Sequence, residues 1–213
     1  MKRLAEEKVV SMEEFVENVL LEEIPNNETT SNDDFFFEKG ILFLGEINEG
    51  TEQLIQDISY LNMKNKELPI EKQLKQIVLK IDSEGGYIAL AFKLIEEIRL
   101  SEIPIVGIVE GMCASSAVPV FLACHEKIYR KNATFLIHEQ SLQFPEYTKY
   151  GQLVSYLKYA KESYKKFKEI ILENSSLSKE KLKKLLKKPD KFLSVEKAEE
   201  IGLLSKCQLQ KRN

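Results

Sequence analysis

From residue 35 onward, short apolar runs alternate with segments in which apolar residues recur every three or four positions. The short runs, which are typical of buried strands, cover residues 41–44, 76–81, 105–109, 127–130 and 134–137. The segments with helical spacing cover residues 51–61, 87–98, 151–172, 178–188 and 194–202. A run of small and apolar residues at 113–123 predicts one more, buried helix. Strands that alternate with helices in this way predict an α/β fold with a mainly parallel sheet.

The first 34 residues have a different pattern. Ser11 and Glu14 have the spacing of a capping box, and apolar residues after them follow one helical face as far as Leu20. The polar stretch 25–34 then resembles a linker or loop. We therefore predict an N-terminal amphipathic helix and linker over residues 1–34 and one globular domain over residues 35–213.

Composition narrows the class of protein. The chain has 213 residues, of which 43% are hydrophobic and 31% are charged, and these values are typical of a globular domain. Its formal net charge of -3 argues against nucleic acid as a partner, since binding to phosphates needs a positive field. No stretch approaches the about 18 apolar residues of a membrane span, and the first residues do not resemble a secretory signal. We expect no membrane partner.

Cysteine and histidine are scarce. Cys113, Cys124 and Cys207 are odd in number and lack the spacing of metal ligands, which predicts reduced thiols in a cytoplasmic protein. With only His125 and His138 in the chain, a centre built from several histidines is excluded. We expect no metal and no cofactor.

Two strand ends carry unusual small residues. Gly85 and Gly86 follow the predicted strand 76–81 and would let a backbone amide approach a ligand, although a glycine pair is more often only a turn. After the strand 105–109, the small residues 111–117 include Ser115. A serine at such a turn is a candidate nucleophile, and the simpler interpretation is that it caps the following helix.

A serine nucleophile needs a base and an acid that orients the base. His138 ends the apolar run 134–137, whereas His125 lies in a polar setting that is typical of a solvent-facing helix end. Among the aspartates, Asp82 precedes the glycine pair, and Asp190 follows a predicted helix at a position that we expect to be partly buried. Spacing alone leaves Asp82 and Asp190 as equal candidates.

Taken together, four segments resemble the proteolytic subunit of the Clp protease (ClpP), a family of self-compartmentalising serine peptidases. They are residues 83–86 (Ser-Glu-Gly-Gly), 111–116 (Gly-Met-Cys-Ala-Ser-Ser), 136–138 (Leu-Ile-His) and 190–194 (Asp-Lys-Phe-Leu-Ser). They occur in the order of the family's motifs, within a similarity that runs from about residue 35 to residue 204. The resemblance implies the repeated β-β-α spiral fold that this family shares with the crotonases.

The resemblance also implies roles. Ser115 would be the nucleophile, His138 the general base and Asp190 the acid that orients it. The backbone N–H groups of Gly86 and Ser116 would form the oxyanion hole. A serine endopeptidase of this family cleaves peptides or unfolded proteins inside a homo-oligomeric ring, in many cases with an AAA+ unfoldase.

The sequence departs from the family at several positions. Glu84 replaces a proline, and residues 139–145 replace a glycine-rich stretch that aligns rings and binds substrate. Val78 and Lys80 stand where aromatic residues often dock the unfoldase. Two alternatives follow: a regulatory or specialised subunit, such as a phage-type maturation peptidase, and an acyl-CoA hydratase or isomerase of the crotonase superfamily, which would need glutamates instead of Ser115 and His138.

Overall fold

The computed structural model describes residues 32–187 and 190–205. Its strands are β1 (Ile41–Leu44), β2 (Ile77–Ser83), β3 (Ile105–Ala114), β4 (Glu126–Tyr129), β5 (Thr134–Leu136) and β6 (Leu193–Ser194). Its helices are α1 (Asn32–Glu38), α2 (Thr51–Glu67), α3 (Ile88–Leu100), α4 (Ala117–Ala123), α5 (Tyr150–Glu173), α6 (Lys179–Leu186) and α7 (Val195–Ile201), with a short 3-10 turn at Ile70–Lys72. None of the helices within these residues is long and apolar enough to cross a membrane.

The strands form one six-stranded sheet that is mostly parallel. The order is β1-β2-β3-β5-β6, and β4 also pairs with β3. Strand β3 has ten residues and pairs with β2 along one edge. Along its other edge, Val106 to Val109 pair with β4, and Met112 to Ala114 pair with β5. Only β6 is antiparallel. The carboxyl ends of β2, β3 and β5 therefore meet at one edge of the sheet, which is where α/β proteins hold their ligands.

Apolar burial holds this edge in place. Leu79 and Ile81 of β2 and Phe135 of β5 are buried in the larger of two apolar clusters, which also contains residues of helices α3 and α4. Each such side chain contributes about 1.5–3 kcal/mol on burial. A smaller cluster on the other face includes Val106 and Ile108, with Phe36 of α1 packed against it. Because β2 and β3 are covered on both faces, their sequences are almost continuously apolar.

The predicted α/β class is confirmed, with one element placed wrongly. Residues 113–123 were predicted as a helix, but Cys113 and Ala114 belong to β3 and the helix begins at Ala117. The strand continues because an Asp82 carboxylate oxygen accepts a hydrogen bond from the Met112 N–H at 2.7 Å, and because Cys113 pairs with Ser83. The consequence is that the serine turn directly follows a strand of the sheet.

The N-terminal prediction is only partly within the described residues. Helix α1 begins at Asn32, inside the stretch that was predicted as a linker. The predicted amphipathic helix and the linker up to residue 31 lie outside the described residues. The boundary between residues 34 and 35 stays a prediction.

Candidate active site

Ser115 occupies the turn between β3 and α4 in a backbone conformation that is rare for serine. Its φ angle is 54°, and no other non-glycine residue in the described ranges has a positive φ. Such a conformation costs on the order of 1–3 kcal/mol and persists only where the surroundings hold it. Here the Ser115 N–H donates to the Leu136 carbonyl oxygen at 2.8 Å, and its carbonyl oxygen accepts from the Val118 N–H at 3.2 Å. The turn is thus tied to both β5 and α4.

The glycine pair packs directly against this serine turn. Gly85 has a φ of 96°, and a Cβ atom there would lie 2.7 Å from the Cβ of Ser115. Gly86 has a φ of 143°, and a Cβ atom there would lie 2.1 Å from the carbonyl oxygen of Ile47. No L side chain fits at either position without a shift of the backbone. Both glycines are therefore required by the close approach of three chain segments.

Hydrogen bonds fix the two turns relative to each other. The Ile47 N–H donates to the Gly85 carbonyl oxygen at 2.7 Å, and the Tyr87 N–H donates to the Ile47 carbonyl oxygen at 2.8 Å. The Ser116 hydroxyl donates to the Gly86 carbonyl oxygen at 3.0 Å. Within the part of the chain that the structure describes, the N–H groups of Gly86 and Ser116 donate no hydrogen bond. Two neighbouring donors without partners are the arrangement that can bind an oxyanion.

His138 follows β5 by two residues, and its side chain is 23% exposed. Its Nδ1 atom lies 3.6 Å from Oδ1 of Asp190, which is ion-pair distance and longer than a hydrogen bond. Strand β6 accounts for the approach, because Phe135 pairs with Leu193 and Thr134 with Ser194 in antiparallel register. Continued by three residues, that register puts Asp190 opposite His138.

The expected partial burial of Asp190 is wrong. Its side chain is 62% exposed, because it lies in the segment that precedes the two-residue edge strand β6 and no described element covers it. Water therefore screens its charge. An exposed carboxylate orients an imidazole less strongly than a buried one does.

The other candidates from the sequence lie elsewhere. The Asp82 carboxylate oxygen accepts the Met112 N–H and so holds β3 in line with β2. His125 is exposed, and its Nδ1 accepts the Ile105 N–H at 3.1 Å, at the amino end of β3. Neither side chain lines the cavity at the serine turn. Of the two aspartates left equal by spacing, Asp190 is the one next to His138.

A cavity of about 1010 Å³ opens at this edge of the sheet. Ser115, Ser116, Gly86 and His138 all line it. Ser115 is half-buried, and no hydrogen bond joins its hydroxyl to His138 within the described residues. The structure thus brings four of the five predicted site residues to one cavity and puts the fifth, Asp190, behind the imidazole. Their chemical roles stay predictions.

Sequence reasoning missed the aromatic wall of the cavity. Helix α5 contributes Tyr156, Tyr159, Tyr164 and Phe167, and Phe144 from the segment after His138 stacks on Tyr156 with ring centroids 6.1 Å apart. The spacing of these residues along α5 follows one helical face, which is the signal that could have identified them. Desolvation raises the pKa of the Tyr164 hydroxyl, and the charge of Glu139 raises it further. Because this wall is largely aromatic, the cavity can accept large apolar groups.

The cysteines near the serine do not compete with it as nucleophiles. Cys113 and Cys124 are buried, and desolvation is the main reason why their thiol pKa values are raised, to about 12 for Cys124. A thiol is reactive only as the thiolate. In the described ranges no three His, Cys, Asp or Glu side chains are grouped so that they could hold a metal ion. The Ser115 hydroxyl, which lines the cavity, stays the candidate nucleophile.

Comparison with known proteins bears on the family of the chain. A search of curated proteins finds no match to the chain. The family model described as Clp protease matches residues 26–210, which is nearly the whole chain. The match covers the glycine pair, the serine turn, His138 and Asp190, and it agrees with the mostly parallel α/β sheet. The resemblance seen in the four motifs is thereby confirmed, and the chain belongs to the Clp protease family.

Proposed function

We propose that this chain is a serine endopeptidase that acts through an acyl-enzyme. The observation that carries the proposal is the turn at Ser115. A serine in a left-handed conformation faces the same cavity as His138 and as two N–H groups that have no partner in the described chain. A strained backbone at a cavity is a known mark of functional residues, and membership of the Clp protease family supports the same conclusion.

In the first step, the Ser115 hydroxyl oxygen attacks the carbonyl carbon of a peptide bond and His138 accepts the hydroxyl proton. The negative charge that develops on the carbonyl oxygen is stabilised by the N–H groups of Gly86 and Ser116. Each such donor is worth about 10²- to 10³-fold in kcat. His138 then donates the proton to the leaving amine, and a water molecule, deprotonated by His138, releases the acyl group from Ser115.

Asp190 would orient His138 through its Nδ1 atom, which requires the Nδ1–H tautomer so that the other ring nitrogen can accept the serine proton. The separation of 3.6 Å and the exposure of Asp190 indicate a pair that is weaker than a buried one. We therefore assign Asp190 to positioning and stabilisation of the imidazole, with a smaller share of the rate than Ser115 or His138.

The proposal includes an assembly and a substrate class. We propose that the chain works as a homo-oligomeric ring on peptides or unfolded proteins, with an AAA+ unfoldase that supplies the unfolded chain. The large apolar side chains exposed on α5, among them Tyr150, Val154 and Leu157, support an assembly in which this helix is covered. The native mass, and protein degradation with and without an ATPase, are the measurements that decide these two points.

Labelling with a fluorophosphonate tests the nucleophile and the role of Asp190 together. We expect the probe to bind Ser115 covalently in the wild-type protein, as located by peptide mass spectrometry. Asp190→Asn should lower the labelling rate by only about 10- to 100-fold, because solvent already screens this carboxylate. Absence of any label on a folded protein would contradict the proposal. If Asp190→Asn lowered the labelling rate by about 10⁴-fold, Asp190 and His138 would have to form a closer and buried pair in the working enzyme.

A further inference from the structure

Among the described residues, Glu84 is the one carboxylate that lines the cavity at Ser115, and the Glu139 carboxylate lies close enough to Tyr164 of the cavity wall to raise the pKa of its hydroxyl. The remaining described residues of its wall are His138 and uncharged side chains, most of them apolar, aromatic or amide groups. Glu84 lies between the end of β2 and the glycine pair, two positions before Gly86. It therefore brings a negative charge to the same wall as the candidate oxyanion hole.

The Glu84 carboxylate has no partner among the described residues: no hydrogen bond and no salt bridge joins it to another side chain or to the backbone there. Neighbouring carboxylates differ in this respect. Asp82 accepts the Met112 N–H at 2.7 Å, and Glu110 lies 3.2 Å from Nζ of Lys80 and 3.7 Å from the Arg130 guanidinium. The charge of Glu110 is neutralised by Lys80 and Arg130, and the Asp82 carboxylate serves as a hydrogen-bond acceptor within the fold. The charge of Glu84 is available to a ligand.

The backbone on both sides of Glu84 is held firmly. Ser83 is buried at the end of β2, and its hydroxyl accepts the Gly85 N–H at 3.1 Å. The Gly85 carbonyl oxygen accepts the Ile47 N–H at 2.7 Å. The side chain of Glu84 thus extends from a fixed point at the cavity. The apolar aromatic wall on α5 strengthens the field of this charge inside the cavity, because low-dielectric walls focus it.

We propose that Glu84 is a specificity-determining residue that favours substrates with a lysine or arginine side chain close to the cleaved bond. The inference rests on the proposed peptidase function and names the substrate class for that site. The aromatic wall would hold an apolar part of the same peptide, and the cationic nitrogen would pair with the Glu84 carboxylate. The pair forms in the bound substrate before the reaction, so it acts mainly on KM.

The test uses fluorogenic peptides of one sequence with blocked termini, in which lysine or norleucine stands in turn at each position within three residues of the cleaved bond. At one position the wild-type protein should cleave the lysine peptide with a kcat/KM about three- to fivefold higher than the norleucine peptide, the size of a solvent-exposed ion pair. The preference should shrink toward one as the salt concentration rises to about 1 M. Glu84→Gln should abolish the preference and its salt dependence. Glu84→Lys should reverse it in favour of glutamate at that position.

Glu71→Gln is the matched control. Glu71 is also exposed and without a partner in the described chain, but it lies at the 3-10 turn before β2, at the opposite end of the sheet from the cavity. The Glu71→Gln variant should keep the ratio of kcat/KM for the lysine peptide to kcat/KM for the norleucine peptide at its wild-type level. Because the readout is a ratio within each variant, a general loss of activity through a disturbed glycine turn does not affect it.

The outcomes separate the two proposals. Two results would overturn the role of Glu84 and leave the peptidase function intact. One is cleavage in which the lysine and norleucine peptides have equal kcat/KM values at every position, and the other is a preference for lysine that persists in Glu84→Gln. No cleavage of any peptide together with no phosphonate label on Ser115 would overturn the peptidase function itself.

Discussion

Replacement of Ser115 by alanine should lower kcat for peptide hydrolysis by about 10⁶-fold, and His138→Ala should have an effect of the same size. The reason is that the hydroxyl and the imidazole act in one proton transfer, so that the loss of either removes the whole covalent route. The double variant should therefore be little slower than either single variant. The measurement is the single-turnover rate of a fluorogenic peptide for the three variants and the wild-type protein.

His125→Ala is the control for the histidine. Its imidazole accepts a backbone N–H at the amino end of β3 and does not line the cavity, so this variant should keep a kcat close to that of the wild-type protein. Additive losses from Ser115→Ala and His138→Ala would show that the two residues act in separate steps. That result would contradict the proposed pairing of Ser115 with His138.

Gly86→Ala should lower kcat by about 10²- to 10³-fold, the loss that is typical when one oxyanion donor is displaced. The added Cβ would lie 2.1 Å from the carbonyl oxygen of Ile47, and the φ of 143° is one that alanine rarely adopts. The backbone must therefore shift, and the N–H of Gly86 shifts with it. The effect should appear in kcat more than in KM, because the oxyanion exists only in the transition state and the intermediate.

Gly45→Ala is the matched control. A Cβ atom at Gly45, which follows β1, would meet no atom within 4 Å, so Gly45→Ala should keep both activity and stability close to their wild-type values. Thermal unfolding of both variants separates a local effect from a loss of folding. A fully active Gly86→Ala would mean that the N–H of residue 86 does not contact the reacting carbonyl.

Local patterns in the sequence were sufficient for the fold class. The apolar runs of β1 and β2 and the helical spacing of α2 and α5 depend on near neighbours, and a helix or strand buries what its own spacing puts on one face. The boundary between β3 and α4 was misplaced because a run of small apolar residues fits both structures. It is settled by a distant contact, the Asp82 carboxylate on the Met112 N–H, which no local pattern contains.

The site was predictable to a similar degree. A glycine pair at one strand end, a serine among small residues at a second and a histidine at the end of a third are visible in the sequence because each marks a turn. Spacing alone did not decide between Asp82 and Asp190, and the resemblance of residues 190–194 to the family pointed to Asp190. The physical reason is the antiparallel pairing of β6 with β5, a contact between residues about 60 positions apart, which no local pattern contains. The exposure of Asp190 could not be predicted either, because the burial of a residue at a sheet edge depends on which distant elements cover that edge.

The central claim, that Ser115 forms the covalent intermediate, is tested most directly by trapping that intermediate. The full chain is mixed with a β-lactone whose acyl group leaves the enzyme slowly, and mass spectrometry then locates the added mass. We predict one acyl group per chain on Ser115, formed at a much lower rate in His138→Ala and absent in Ser115→Ala. An acyl group on another residue of a folded protein would contradict the claim, as would turnover of a peptide or an acyl-CoA thioester that persists in Ser115→Ala.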